Sequence, residues 1–363
     1  MASKVSIVMP VYNAERYLKK SLESVTRQTL RDIEILCVDD GSTDASPQII
    51  ADFARRDARI RTITKENAGY GAAMNDGMAA ATGEYIGVVE PDDYVDATMF
   101  ERLYQTAVEH DADVCKCDFY SLTSSEGSER TRWREIAPGK AFYGPVFDST
   151  KSEALFFLVM MTWEGIYRRS FIEKNRIVHT TTPGASHQDN SFWFITTALA
   201  ERYVLINEAH YYYRIDNSAS SIHSSDAALK IATEYSLIRD ILEERELWNR
   251  LKFIYSYFYF DNLIARLAHV AAEQKTEFAR YIAGEWLGAQ ERAEVDRGIL
   301  PAFLIDELDE LSRDPDAYRP EDHRSIEVES WDEVEGRHER TEILTNSISP
   351  YSIVRTYKDS IVA

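Results

Sequence analysis

Cysteine is scarce in this chain: three among 363 residues, Cys37, Cys115 and Cys117. That is too few for a disulfide framework. The Cys115-x-Cys117 pair has no second ligand pair at zinc spacing, so buried, reduced thiols are expected. Basic residues are also in deficit, with 41 Lys and Arg against 61 Asp and Glu and a formal net charge of −20. No nucleic acid is therefore expected as a partner, because binding a phosphate backbone needs a basic surface. Long apolar runs are missing too. No stretch approaches the ~20 apolar residues that span a bilayer. The N-terminal run Val5 to Val11 is short and interrupted by Ser6 and Pro10, unlike a signal peptide. A cytoplasmic protein is the expectation.

What is present is the composition of a globular protein, 44% hydrophobic and 28% charged, with length enough for two or three domains of roughly 100–200 residues each. Strand-like runs at Val5–Met9, Ile33–Val38, Ile60–Thr64, Tyr85–Val89 and Asp113–Cys117 alternate with helical stretches. Those stretches are Ala14–Gln28, from Ser42-Thr43-Asp44 to near Arg56, Gly71–Ala81 and Ala97–Glu109. Short runs rich in Val and Ile suit strands covered on both faces. Alternation with helices predicts an α/β fold with a mainly parallel sheet and right-handed crossovers. Residues 118–150 read as loop, rich in Ser, Gly, Arg and Glu, and 151–225 as mixed and aromatic. From 226 to 311 the periodicity turns helical, with Phe253–Leu267 suited to a buried face. Residues 313–340 are charged and poor in core side chains, so an exposed, mobile stretch is expected there. The domain reading is thus 1–225 as the α/β domain and 226–363 as a mostly helical region.

Ligands of such sheets lie beyond the carboxyl ends of the strands. The loops there read Pro10-Val11-Tyr12-Asn13, Asp39-Asp40-Gly41-Ser42-Thr43-Asp44 and Glu90-Pro91-Asp92-Asp93. Carboxylates gathered at one edge repel, so they need hydrogen-bond donors or a divalent cation. Mg²⁺ and Mn²⁺ favour one or two carboxylates plus phosphate oxygens, which points to a metal–diphosphate site. Taken singly, Asp44 reads equally well as a helix cap and Pro91-Asp92-Asp93 as a turn. Their joint occurrence at successive strand ends argues for a site. Gly69-Tyr70-Gly71 starts like a dinucleotide fingerprint, but Met74 stands where a third glycine belongs and the segment follows the third strand. That argues against a nicotinamide or flavin oxidoreductase.

The segments VSIVMPVYNAERYLKKSLESVTRQTL, EILCVDDGSTDAS, NAGYGAAMNDGMAAATGEYIGVVEPDDYV and QDNSFWF resemble glycosyltransferase family 2, an inverting family of the bacterial surface-polysaccharide type. The resemblance covers residues 4–225. It implies the GT-A nucleotide-diphospho-sugar transferase fold, a nucleotide-sugar donor, most commonly a UDP-sugar, and a Mn²⁺ or Mg²⁺ cofactor. It places Pro10, Tyr12 and Asp40 or Asp39 around base and ribose, with Asn67, Gly69 and Asn75 lining the same pocket. Glu90-Pro91-Asp92 corresponds to the family's Asp-x-Asp motif, with Glu in the first place. Asp92 is then the first choice of metal ligand and Asp93 the second. The family's catalytic base falls on Asp189, preceded by Gln188 where many relatives carry Glu; capping of the following helix is a compatible second role. Tyr211-Tyr212-Tyr213-Arg214 and Ser221-Ile222-His223 resemble the loop that closes over the donor. Arg214 and His223 are thus implied as cations for the diphosphate, with a structural ion pair the alternative for Arg214. Trp163-Glu164-Gly165 resembles a Trp-x-Lys segment in which Gly165 replaces Lys, and Trp163 reads as a sugar platform or as core.

The implied acceptor is a hydroxyl of a cell-surface glycan, a lipid-linked glycan or a teichoic-acid-type polymer. A sugar nucleotidyltransferase is the alternative, but its loop after strand one should be Gly-rich and basic, and Val11-Tyr12-Asn13 offers no Lys or Arg. A non-catalytic binding module leaves the presence of both Asp92 and Asp189 unexplained. Association with the inner face of the membrane through partners, and self-association, stay open. The acidic C-terminal region argues against direct contact with anionic lipid.

Overall fold

A computed structural model describes residues 3–125, 128–185, 187–217, 227–267 and 270–318, and strands within 326–360. The chain divides into two compact units, one running to Asn217 and the other from Ser218 to Asp332, with the residues beyond assigned in pieces to both.

In the first unit, β1 (Val5–Val11), β2 (Ile33–Asp39), β3 (Ile60–Thr64) and β4 (Tyr85–Val88) alternate with α1 (Leu18–Thr26), α2 (Ser46–Ala54) and α3 (Tyr70–Ala80). The strands form a parallel sheet in the order β3-β2-β1-β4. β1 and β2 are buried along their whole length, as strands sandwiched between helices must be. The register sets Val11 opposite Asp39 and Val8 opposite Val88. The loops leaving β1, β2 and β4 therefore emerge side by side.

Past β4 the sheet is mixed. The chain continues through β5 (Tyr94–Val95), α4 (Met99–Glu109), β6 (Val114–Ser125), β7 (Ser128–Arg134), β8 (Val146–Phe147), β9 (Gly165–Arg168), α5 (Arg169–Lys174), α6 (Gln188–Leu199) and β10 (Tyr203–Arg214). β9 lies antiparallel to both β4 and β6, while β6 pairs antiparallel with β7 and parallel with β10. The stretch from 118 expected as loop thus contains most of β6 and all of β7. Its organising group is the buried carboxylate of Asp118. That carboxylate accepts hydrogen bonds from Trp133 Nε1 (3.0 Å), Ile136 N–H (3.0 Å), Tyr143 hydroxyl (2.7 Å) and Asn207 Nδ2 (2.9 Å).

The second unit contains α7 (Ala227–Glu244), α8 (Trp248–Leu267), α9 (Lys275–Glu291) and α10 (Ala302–Arg313). α8 is buried almost all round, its Phe260 packs edge-on against Trp286 of α9 at 5.0 Å, and Leu304 and Leu308 of α10 are buried as well. Three strands follow, β11 (Ile326–Asp332), β12 (Arg337–Ile343) and β13 (Val354–Ser360), the first of them within the charged stretch. Among the described residues no helix is long and apolar enough to cross a membrane. Cys37, Cys115 and Cys117 are all buried and unpaired.

The strands of the parallel half are also stitched by one acid. Glu34, on β2, takes Ser6 Oγ (2.6 Å), Thr82 N–H (2.6 Å), Thr82 Oγ1 (2.7 Å) and Arg61 (2.7 Å). Burial alone would raise its pKa, but these bonds outweigh burial and hold it below the usual glutamate value. Stability from such a group is present above its unfolded pKa and lost as pH falls through the depressed folded value. Glu34→Gln is expected to lower unfolding free energy by about 1–2 kcal/mol at pH 7. In urea titrations the gap from wild type should shrink with acidification; a constant gap would contradict the assignment.

Candidate active site

The loops after β1 and β2 are stapled together. Asn13 sits in the left-handed region at φ 49°, which Asn tolerates better than most residues. Its side-chain oxygen accepts from Thr43 N–H (2.8 Å), and its own N–H donates to Ser42 Oγ (3.1 Å). Asp44 accepts from the N–H groups of Glu15 and Ser46, both at 2.9 Å, so it closes the start of α2. Tyr12 stands out of this frame at 53% exposure, a ring available for stacking. Pro10 lies within β1, opposite Val38.

Asp39 and Asp40 are buried and point their oxygens at backbone. Asp39 accepts from Ser42 N–H (2.9 Å). Asp40 accepts from Ala68 N–H (3.0 Å) and Gly69 N–H (2.9 Å), which fixes the entry to α3. Asn67 just ahead is exposed. Asn75 is committed to backbone: its amide nitrogen donates to His179 O and its oxygen accepts from His179 N–H, both at 2.9 Å.

The acidic loop after β4 divides its carboxylates by task. Asp93, 2% exposed, accepts from Tyr211 hydroxyl (2.9 Å) and Arg214 N–H (2.7 Å). Burial first, and then Asp92, push its pKa well up. Asp93 is therefore a brace between this loop and β10. Asp92 stays partly exposed, with one oxygen accepting from Asn217 Nδ2 (2.9 Å). Glu90 accepts from Tyr70 hydroxyl (2.7 Å). Its partly buried seat, and then Asp92 and Asp189, push its pKa up to about 8 against the lowering effect of Tyr70. Tyr70 was not among the residues picked from sequence; its place directly after Gly69, at the first position of a helix facing the strand ends, was the available signal.

Arg214 is 6% exposed and fully engaged. It donates to Ser124 Oγ (2.7 Å), Asp216 (3.2 Å), Glu129 (3.5 Å) and the Asp92 carbonyl (3.2 Å), and lies 4.5 Å from the centre of the Tyr17 ring. The structural ion pair is the arrangement seen. Trp163 is buried in a stack with Tyr211 (4.1 Å) and Tyr213 (4.9 Å), so it is core. His223 lies outside the described residues.

Asp189 opens α6. Every residue of that helix from Gln188 to Ala198 is buried except Asp189. A rigid, buried helix thus holds up one partly exposed carboxylate, and its charge helps raise the pKa of Glu90, Tyr70 and Tyr213. Among the described residues no group of three or more His, Cys, Asp or Glu side chains forms a metal cage. A hard divalent ion that keeps waters and takes phosphate oxygens needs only one or two carboxylates. Asp92 has the exposure for that, whereas both Asp93 oxygens are turned to the protein.

GlyG of Streptococcus pneumoniae, a glycosyltransferase, is 33% identical over 251 residues, 67% of this chain and 78% of GlyG. The sequence model of glycosyl transferase family 2 matches residues 6–181. The chain belongs to glycosyl transferase family 2. EpsJ of Bacillus subtilis, an uncharacterized glycosyltransferase, is 35% identical over 217 residues, 59% of this chain and 62% of EpsJ; the chain spans less than two thirds of that relative. Among solved structures, the 1–349 chain of S. aureus TarS shares the fold with a TM-score of 0.52 at 18% identity, covering 99% of this chain and 100% of TarS 1–349. TarS crystals with UDP and with UDP-GlcNAc show the same likeness. This family 2 member has the GT-A fold.

The division of labour between Asp92 and Asp93 is testable. Asp93→Ala strands a buried tyrosine hydroxyl and a backbone N–H, with an expected loss of about 2–3 kcal/mol. Asp92→Ala should stay within about 0.5 kcal/mol of wild type. Urea unfolding of both variants decides; equal losses would contradict the brace.

Proposed function

We propose that this family 2 glycosyltransferase transfers a sugar, with inversion, from a nucleotide-sugar donor to a hydroxyl of a cell-surface glycan, lipid-linked glycan or teichoic-acid-type polymer. The observation that carries the reading is Asp189: one partly exposed carboxylate on an otherwise buried helix, within electrostatic reach of Glu90 at the edge of the parallel sheet. UDP is the proposed nucleotide, supported by the fold shared with TarS, whose crystals contain UDP-GlcNAc.

In the proposed reaction Asp189 accepts the proton of the acceptor hydroxyl as that oxygen attacks the anomeric carbon, and the bond from that carbon to the diphosphate oxygen breaks. The stapled loops after β1 and β2 present Tyr12 for stacking on the base, with Asn67 at the exposed rim. Asp92 is the residue that would hold Mn²⁺ or Mg²⁺, an ion that supplies charge neutralisation for a departing diphosphate. Glu90, whose pKa is pushed up to about 8 by burial, would carry less negative charge toward a diphosphate than an ordinary glutamate.

Asp189→Asn is expected to leave UDP affinity near the wild-type value and to lower turnover by about 10²-fold or more. UDP release from a panel of UDP-sugars, with manganese and a candidate acceptor, measures it. Full turnover in the variant would remove Asp189 from the role of base.

A further inference from the structure

The segment His179–Gly184 runs between the first residues of α3 and of α6 and is tied to both. On the α3 side, Gly184 O accepts from Tyr70 N–H at 3.0 Å. The approach is so close that a Cβ on Gly71 would lie 1.8 Å from Thr180 O, and one on Gly69 2.7 Å from Gly184 O. Asn75 clasps the backbone of His179 at both polar groups. On the α6 side, Gln188 Nε2 donates to Thr182 O (3.0 Å) and to Gly184 O (3.1 Å). The His179 ring stacks on Phe192 at 4.4 Å with an interplanar angle of 0°. Its Nδ1 lies 3.2 Å from Gln188 O, a carbonyl, so Nδ1 carries the proton there.

We infer that Gln188 is a positioning residue for Asp189, and that its side-chain amide, as a double donor, is the chemical feature this role requires. The inference rests on the reading of Asp189 as the base. A primary amide offers two N–H groups, and here both meet carbonyl oxygens in a seat that is 1% exposed. An ionised carboxylate offers none and would face those oxygens with lone pairs. Gly184 O is the shared point of reference. It takes the N–H of Tyr70, whose hydroxyl holds Glu90, and the amide of the residue that immediately precedes Asp189. The glycines at 69 and 71, which resemble a nucleotide fingerprint in sequence, leave room for this strap.

The test uses the full chain with Gln188→Met, which has no donor at any pH, and Gln188→Glu. A carboxyl buried against two carbonyls has its folded pKa raised above the unfolded value of about 4.3. Its contribution is therefore present at low pH, where the protonated group donates one bond, and is lost as pH rises through the folded pKa. Amide hydrogen exchange over 68–74 and 180–192, corrected for the intrinsic effect of pH, is the readout independent of donor identity. Expected is exchange at least ~10-fold faster in Gln188→Met at pH 5 and pH 8, with kcat for UDP release down by ~10-fold or more and UDP affinity nearly unchanged. Gln188→Glu should match Gln188→Met at pH 8 and return toward wild type at pH 5. Wild-type exchange in Gln188→Met, or faster exchange with unchanged kcat, would overturn the inference while leaving the base assignment standing. The reverse failure has its own signature: an Asp189→Asn enzyme with full turnover and wild-type exchange removes the base itself.

Discussion

Carboxylates brought to one edge of a parallel sheet repel one another by about 1 kcal/mol per pair at 4 Å in water-like surroundings, and by more as the site dries. The register of β1, β2 and β4 makes that crowding unavoidable here, because it lines up the loops that carry Asp39, Asp40, Glu90, Asp92 and Asp93. Much of the local structure answers this one constraint. Asp39 and Asp40 are quieted by backbone N–H groups, Asp93 by a tyrosine hydroxyl and an N–H, and Glu90 by Tyr70 and a pKa near 8. The donors that solve the electrostatic problem also fix the loops. The bonds to Asp40 pin the entry to α3, and those to Asp93 pin the end of β10.

Asp92 and Asp189 differ from Asp39, Asp40 and Asp93 in keeping partial exposure; Glu90 is partly exposed too, but its carboxyl is held by the Tyr70 hydroxyl. The same logic explains Arg214. Its guanidinium is committed to Ser124, Asp216 and Glu129 and to the Tyr17 ring, and it steadies the acidic loop through the Asp92 carbonyl. A diphosphate at this edge, as proposed, would find that arginine already paired, which supports the proposal of a divalent ion as the source of positive charge there.

The parallel half of the fold was legible in the sequence because β1, β2 and β4 are buried along their length and read as largely apolar runs. The start of β6 was read as a strand, but its continuation past Cys117 and β7 were not, since their Ser- and Arg-rich stretch is held by the buried Asp118, whose partner Asn207 lies 89 residues away. The acidic loop was legible as a site, but Asp92 and Asp93 could not be told apart, because what separates them is Tyr211, 118 residues downstream of Asp93. Asn75 and Trp163 show the same limit. One is bound to the backbone at His179 and the other is enclosed by Tyr211 and Tyr213, contacts that no local pattern announces. Gln188 was legible as a departure from the resembling motif, and its geometry gives that departure a physical reason.

The central claim is that this acidic edge binds a nucleotide diphosphate through a divalent cation. Calorimetric titration of the full chain with UDP, in the presence of Mn²⁺ and again in EDTA, tests it most directly. The account predicts measurable binding with Mn²⁺ and an affinity lower by at least ~10² without it, since a diphosphate beside several carboxylates loses roughly 1 kcal/mol to each one left uncompensated. Equal affinity in the two titrations would contradict it.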